Sequence, residues 1–81
     1  MNIKQRIALK KNILAIVNEN SGGIKFTDLV CKLIVLYHKK KIKYPCSTPF
    51  VVEFAIKEMK ELKILHYTYG DICREMFVYT S

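Results

Sequence analysis

The sequence predicts a single α+β domain, mainly helical, with three helices, a short strand and a C-terminal two-stranded β-hairpin. Three observations predict it. Apolar residues recur at helical spacing over 2–19, 27–40 and 48–62. Glycine and proline break the pattern between them, at Gly22-Gly23 and at Pro45. From residue 64 the pattern changes to two β-prone runs, ILHYTY and ICREMFVYT, around a Gly70-Asp71 turn.

The first helix carries Ile3, Ile7, Leu14 and Val17, with Leu9, Ile13 and Ile16 beside them, over about half its circumference. The NSGG run at 20–23 stops it, since glycine takes the left-handed geometry of a helix C-terminus readily. Ile24, Lys25 and Phe26 make a short extended piece. Thr27 is then expected to cap the second helix, with Asp28 at its positive end and Leu29, Val30, Leu33, Ile34 and Tyr37 facing the core. Cys31 and Val35 fall on its polar side, with Asp28 and Lys32. Ser47 or Thr48 caps the third helix and Pro49 suits its first turn. There Val51, Val52, Ala55, Ile56, Met59 and Leu62 form the apolar arc, and Phe50, Glu53, Phe54, Lys57 and Glu61 take the other side. A hairpin loop of two residues, or of three if Ile72 joins it, sets which face of the last strand is buried.

With 81 residues the chain makes one small domain, and folding at that length buries roughly 60% of the unfolded surface. No apolar run reaches the roughly 20 residues that span a bilayer. The N-terminal MNIKQRIALKKN is too charged for a signal peptide, so a cytoplasmic protein is expected. Cys31, Cys46 and Cys73 form no CxxC pair and stand at no ligand spacing to His38 or His66. Reduced, structural thiols are expected, with no metal site. The net charge is +7, and it is unevenly spread. Residues 1–46 hold ten Lys or Arg against Glu19 and Asp28, while residues 47–81 hold four against five acids. A polyanion or an acidic protein is the expected partner of the first half.

The junction Val52-x3-Ile56-x2-Met59-x3-Lys63-Ile64-Leu65, the stretch GGIKFTDL and the run MFVYT carry a family likeness. The order and these segments resemble a small stand-alone winged helix-turn-helix domain, and the likeness covers nearly the whole chain. It implies a winged helix fold in which the third helix and the hairpin wing meet double-stranded DNA. The chain departs from the pattern in three places. Nine residues, HKKKIKYPC, separate Tyr37 from Ser47, where a compact helix-turn-helix uses three or four. Lys63 stands where glycine is usual. The positions that would face the major groove are Thr48, Phe50, Val51, Glu53, Phe54 and Lys57, of which Thr48 and Lys57 are ordinary DNA-contacting types.

The leading expectation is double-stranded DNA binding by a small transcriptional regulator of phage or mobile-element type. Lys39, Lys40, Lys41 and Lys43 would contact phosphates, with Lys4, Lys11 and Lys32 helping if they lie near. Thr48 and Lys57 of the third helix and Arg74 of the wing would add to them. The bland readings stay beside these: the lysine run compensates a helix dipole, and Arg74 pairs with Glu75 or Asp71. Phe50 and Phe54 are covered core residues, an apolar patch for a protein partner or a second copy, or contacts for thymine methyls. The alternative function is a protein-interaction adaptor using the Phe50/Phe54 face. A third reading has the hairpin tyrosines stacking on single-stranded nucleic acid. His66 is expected to be half-exposed on its strand. No constellation for catalysis, cofactor or small-molecule substrate is present, and SGG alone is a turn.

Overall fold

A computed structural model of the chain describes residues 3–20, 22–43, 49–70 and 75–80. In chain order these form α1 (Ile3–Glu19), β1 (Ile24–Lys25), α2 (Phe26–His38), α3 (Pro49–Glu61), β2 (His66–Tyr69) and β3 (Met76–Tyr79). The fold class is α+β, mainly α, in the expected order, with the hairpin at the end. The short strand is more than a connection. β1 pairs antiparallel with β3 (Ile24 opposite Val78, Lys25 opposite Phe77), so the hairpin becomes a three-stranded sheet of order β1-β3-β2.

The register of β2 on β3 places His66 opposite Tyr79 and Tyr69 opposite Met76. The Gly70 amide then donates to the Glu75 carbonyl at 3.0 Å. A two-residue loop would pair Tyr69 with Ile72, and a three-residue loop would pair it with Cys73. The observed register excludes both. It turns Met76 and Val78 into the core and leaves Phe77 and Tyr79 on the outer face.

The core joins Leu9, Ile13, Ile16 and Val17 of α1 to Leu29 and Leu33 of α2, Val52, Ile56 and Met59 of α3, and Val78 of β3. It is narrower than the apolar arcs predict. Ile3 and Ile7 of α1, Ile34 and Tyr37 of α2, and Leu62 after α3 are all exposed, against the expectation that they face inward. In so small a domain each helix meets neighbours on little more than one stripe, and the flanks of a wide arc stay in water.

Thr27 does not cap α2. The helix begins at Phe26, the extended residue before it is Lys25 (φ −68°, ψ 144°), and no side chain there caps it. The Thr27 amide instead donates to the Glu75 carboxylate at 3.4 Å, from 48 residues further along the chain. Hydrogen bonding from Thr27, side chain first, holds the Glu75 carboxyl below its ordinary range despite some desolvation, with Lys25 adding to it. The start of α2 is thereby tied to the start of β3.

Both α2 and α3 end with a lysine in left-handed geometry, where glycine costs least. After α2, Lys40 has φ 58°, its amide donates to Tyr37, and the Lys41 amide donates to Leu36. After α3, Lys63 has φ 60°, its amide donates to Lys60, and the Ile64 amide donates to Met59. These are paired Schellman bonds. Lys63 thus holds a backbone conformation that glycine adopts most readily. Lys63→Gly should raise the melting temperature by about 5 °C, since a left-handed non-glycine residue costs roughly 1 kcal/mol. A lower value in thermal circular dichroism would mean that the lysine side chain contributes more than its backbone costs.

Candidate nucleic-acid interface

The lysine run emerges from the end of α2. Helix α2 stops at His38, so residues 39–43 lie beyond it and do not lengthen the helix. Ile42 is half-buried against the core and pins the segment down, while Lys39, Lys40, Lys41 and Lys43 stay exposed around it. Tyr37, His38, Lys40, Lys41, Ile42 and Lys43 edge an open depression. Lys39, Lys40 and Lys41 form no ion pair with another described residue. Lys32 lies seven residues before Lys39 on the same side of α2, about 10 Å along the axis, and extends the cationic stripe. Asp28 sits one turn earlier and offsets part of it.

Helix α3 presents a different surface. Phe50 is 75% exposed and Phe54 55%, so neither is a core residue. Lys57 is engaged one turn back by Glu53 at 3.4 Å. That hydrogen bond and charge raise the Lys57 pKa, with Tyr69 and Tyr67 contributing less. The Lys60 ammonium stands 4.3 Å from the centre of the Tyr67 ring, and Tyr67 meets Tyr69 edge-on at 5.8 Å. Tyr67 and Tyr69 share the sheet face of Met76 and Val78, the face turned toward the helices. Helix and wing therefore join along a seam of Lys57, Lys60 and two tyrosines. His66 is half-buried on the other face, its ring 5.5 Å from that of Tyr79.

Of the site residues expected from the sequence, Lys39, Lys40, Lys41 and Lys43 are brought together at one turn, and Lys57 lies on the helix–wing seam. Thr48 and Arg74 lie outside the described residues, as do Pro45, Ser47, Cys46 and Cys73. Cys31 is an exposed free thiol rather than a structural one. Lys4 and Lys11 are exposed on α1. Sequence reasoning missed Lys60, whose partner Tyr67 comes from another element. No helix among the described residues is long and apolar enough to cross a membrane.

Neither a scan against family models nor searches of curated proteins and of solved structures find a match for this chain.

A second charged cluster also lies across elements. Glu58 of α3 accepts from Arg6 and from Lys10 of α1, and these two bonds, that of Lys10 first, hold its carboxyl below the ordinary range against some desolvation. A depressed carboxylate contributes stability that is present above its unfolded pKa and disappears as pH falls through the folded one. Glu58→Gln should therefore lower stability at neutral pH by about 1 kcal/mol. Urea unfolding should show that difference fading as pH falls through and below the ordinary glutamate range. A difference that persists undiminished at low pH would assign the effect to packing.

Proposed function

We propose that the chain is a double-stranded DNA-binding protein, a small transcriptional regulator of winged helix-turn-helix type, working in a cytoplasm. The observation that carries this reading is the end of α2, where Lys39, Lys40 and Lys41 are exposed without an acidic partner among the described residues. Cations so placed neutralise phosphates and release counterions, which gives affinity without sequence information. The Lys57–Lys60 seam supplies a second line of charge where helix meets wing. Base reading by α3 is weak in this scheme, since Lys57 is held by Glu53 and the foremost side chains are Phe50 and Phe54. The exposure of those two rings favours the second reading, a protein-interaction adaptor.

The test is fluorescence anisotropy of a labelled duplex of about 20 base pairs, titrated across a salt series. Micromolar binding at low salt, with a log–log slope of several units, supports the reading. No binding at low salt ends it.

A further inference from the structure

We propose that α1 and α3 together form a docking surface for an acidic amphipathic helix of another protein. Among the apolar side chains left in water, two pairs stand on helices that pack against each other. Ile3 (73% exposed) and Ile7 (50%) stand one turn apart on α1, and Phe50 and Phe54 stand one turn apart on α3. The two helices are in contact, and the pairs are bridged by a built seam. Glu58 holds Arg6 and Lys10 across it, and Phe54 closes a narrow cleft of about 30 Å³ against Leu9 and Ala55. Four large apolar side chains on two packed helices mark an interaction site, because a soluble domain seldom leaves such a patch uncovered. Their one-turn spacing matches the i, i+3, i+4, i+7 stripe of a helix laid along a groove.

Charge selects the occupant. On the surface of α1 the neighbours of Ile7 at three and four residues are Ile3, Lys4, Lys10 and Lys11. With Arg6, four cations border the α1 stripe; among the described residues Glu58 answers Arg6 and Lys10, while Glu53 beside Phe50 on α3 is held by Lys57. A second copy of the chain would bring the same four cations against them. An acidic helix would bring their complement while covering the apolar groups. Lys39, Lys40 and Lys41 take no part in this surface, but Phe50 and Phe54 stand on the α3 face that the DNA-binding reading turns toward the groove, so a docked helix and a duplex would compete for that face.

The probe is a fluorescein-labelled peptide of about 18 residues with leucines at i, i+3, i+4 and i+7 and glutamates elsewhere. Its controls are a scrambled version and a version with lysine for glutamate. Anisotropy should give a Kd on the order of 10–100 μM for the acidic amphipathic peptide and at least tenfold weaker binding for either control. Ile7→Ala with Phe54→Ala should weaken binding about tenfold or more. Lys4→Glu with Lys11→Glu should do the same by charge alone, and Lys39→Gln/Lys40→Gln/Lys41→Gln should leave it unchanged. Since the substituted side chains are exposed, circular dichroism should show each variant folded. The proposal is overturned by absence of binding below about 1 mM, by equal binding of the scrambled peptide, or by indifference to both pairs of substitutions. It is equally overturned if sedimentation equilibrium finds a dimer that Ile7→Ala/Phe54→Ala dissolves, which would assign the surface to a second copy.

Discussion

Gly23→Ala should be the most damaging single methyl added to this protein, lowering its stability by about 3 kcal/mol and its melting temperature by roughly 15 °C. Two independent causes act at one atom. The backbone holds φ at +99°, where side-chain-bearing residues rarely sit. A Cβ there would also stand 2.5 Å and 2.6 Å from two ring carbons of Phe77 and 2.9 Å from the Val78 carbonyl oxygen. Retreat of the ring alone would not be enough, because the carbonyl belongs to the backbone of β3. Gly23 leads directly into β1, whose Ile24 and Lys25 pair with Val78 and Phe77, so displacement would strip β1 from the sheet. Gly22→Ala is the matched control. Among the described residues no heavy atom beyond its own and its chain neighbours' lies within 4 Å of its Cβ position, and its loss should stay near that of an ordinary surface change, under about 0.5 kcal/mol. Equal melting temperatures for the two variants would refute this account of how β1 is held.

The contrast between the two glycines shows which parts of the fold can be read along the chain. The NSGG run reads as a helix stop because turn chemistry is local, and the three helices read from apolar spacing for the same reason. What depends on a remote partner does not read. Ile24 and Lys25 become a strand only because Phe77 and Val78 lie alongside them, and the start of α2 is tied by the Thr27 amide to Glu75 and is not capped by the Thr27 side chain. A helical wheel gives the direction of a buried face but not its width, and on that count Ile3, Ile7, Ile34 and Tyr37 were expected inside. Lys40 and Lys63 hide their left-handed geometry because lysine does not advertise it as glycine does. At the candidate interface the pattern repeats. The lysine run after α2 and the Glu53–Lys57 pair lie within one or two turns of sequence and are visible there. The Lys60–Tyr67 contact and the Arg6/Lys10–Glu58 cluster join separate elements and become visible only in the fold.

If the α2 lysines neutralise phosphates, Lys39→Gln/Lys40→Gln/Lys41→Gln should weaken duplex binding by two to three orders of magnitude at about 0.1 M salt. Each phosphate contact contributes roughly 0.9 to the log–log salt slope, a factor of about eight per contact at that concentration, so three contacts multiply to roughly 500-fold. The slope itself should fall by about 2.7, and this is the more diagnostic number. A variant that merely unfolded would lose binding at every salt concentration. The substitutions are well placed for the test. All three side chains are exposed, none pairs with an acid among the described residues, and glutamine leaves the left-handed turn at Lys40 no worse than lysine does. The half-buried Ile42, which pins the segment, is untouched. Lys57→Gln offers a comparison from the helix–wing seam. Because Glu53 already holds that ammonium, its removal should change the slope by clearly less than one unit. If Lys57→Gln lowered the slope as much as the triple variant, affinity would centre on α3 and not on the end of α2. A triple variant with wild-type slope and affinity would instead reduce the lysine run to compensation of the α2 dipole.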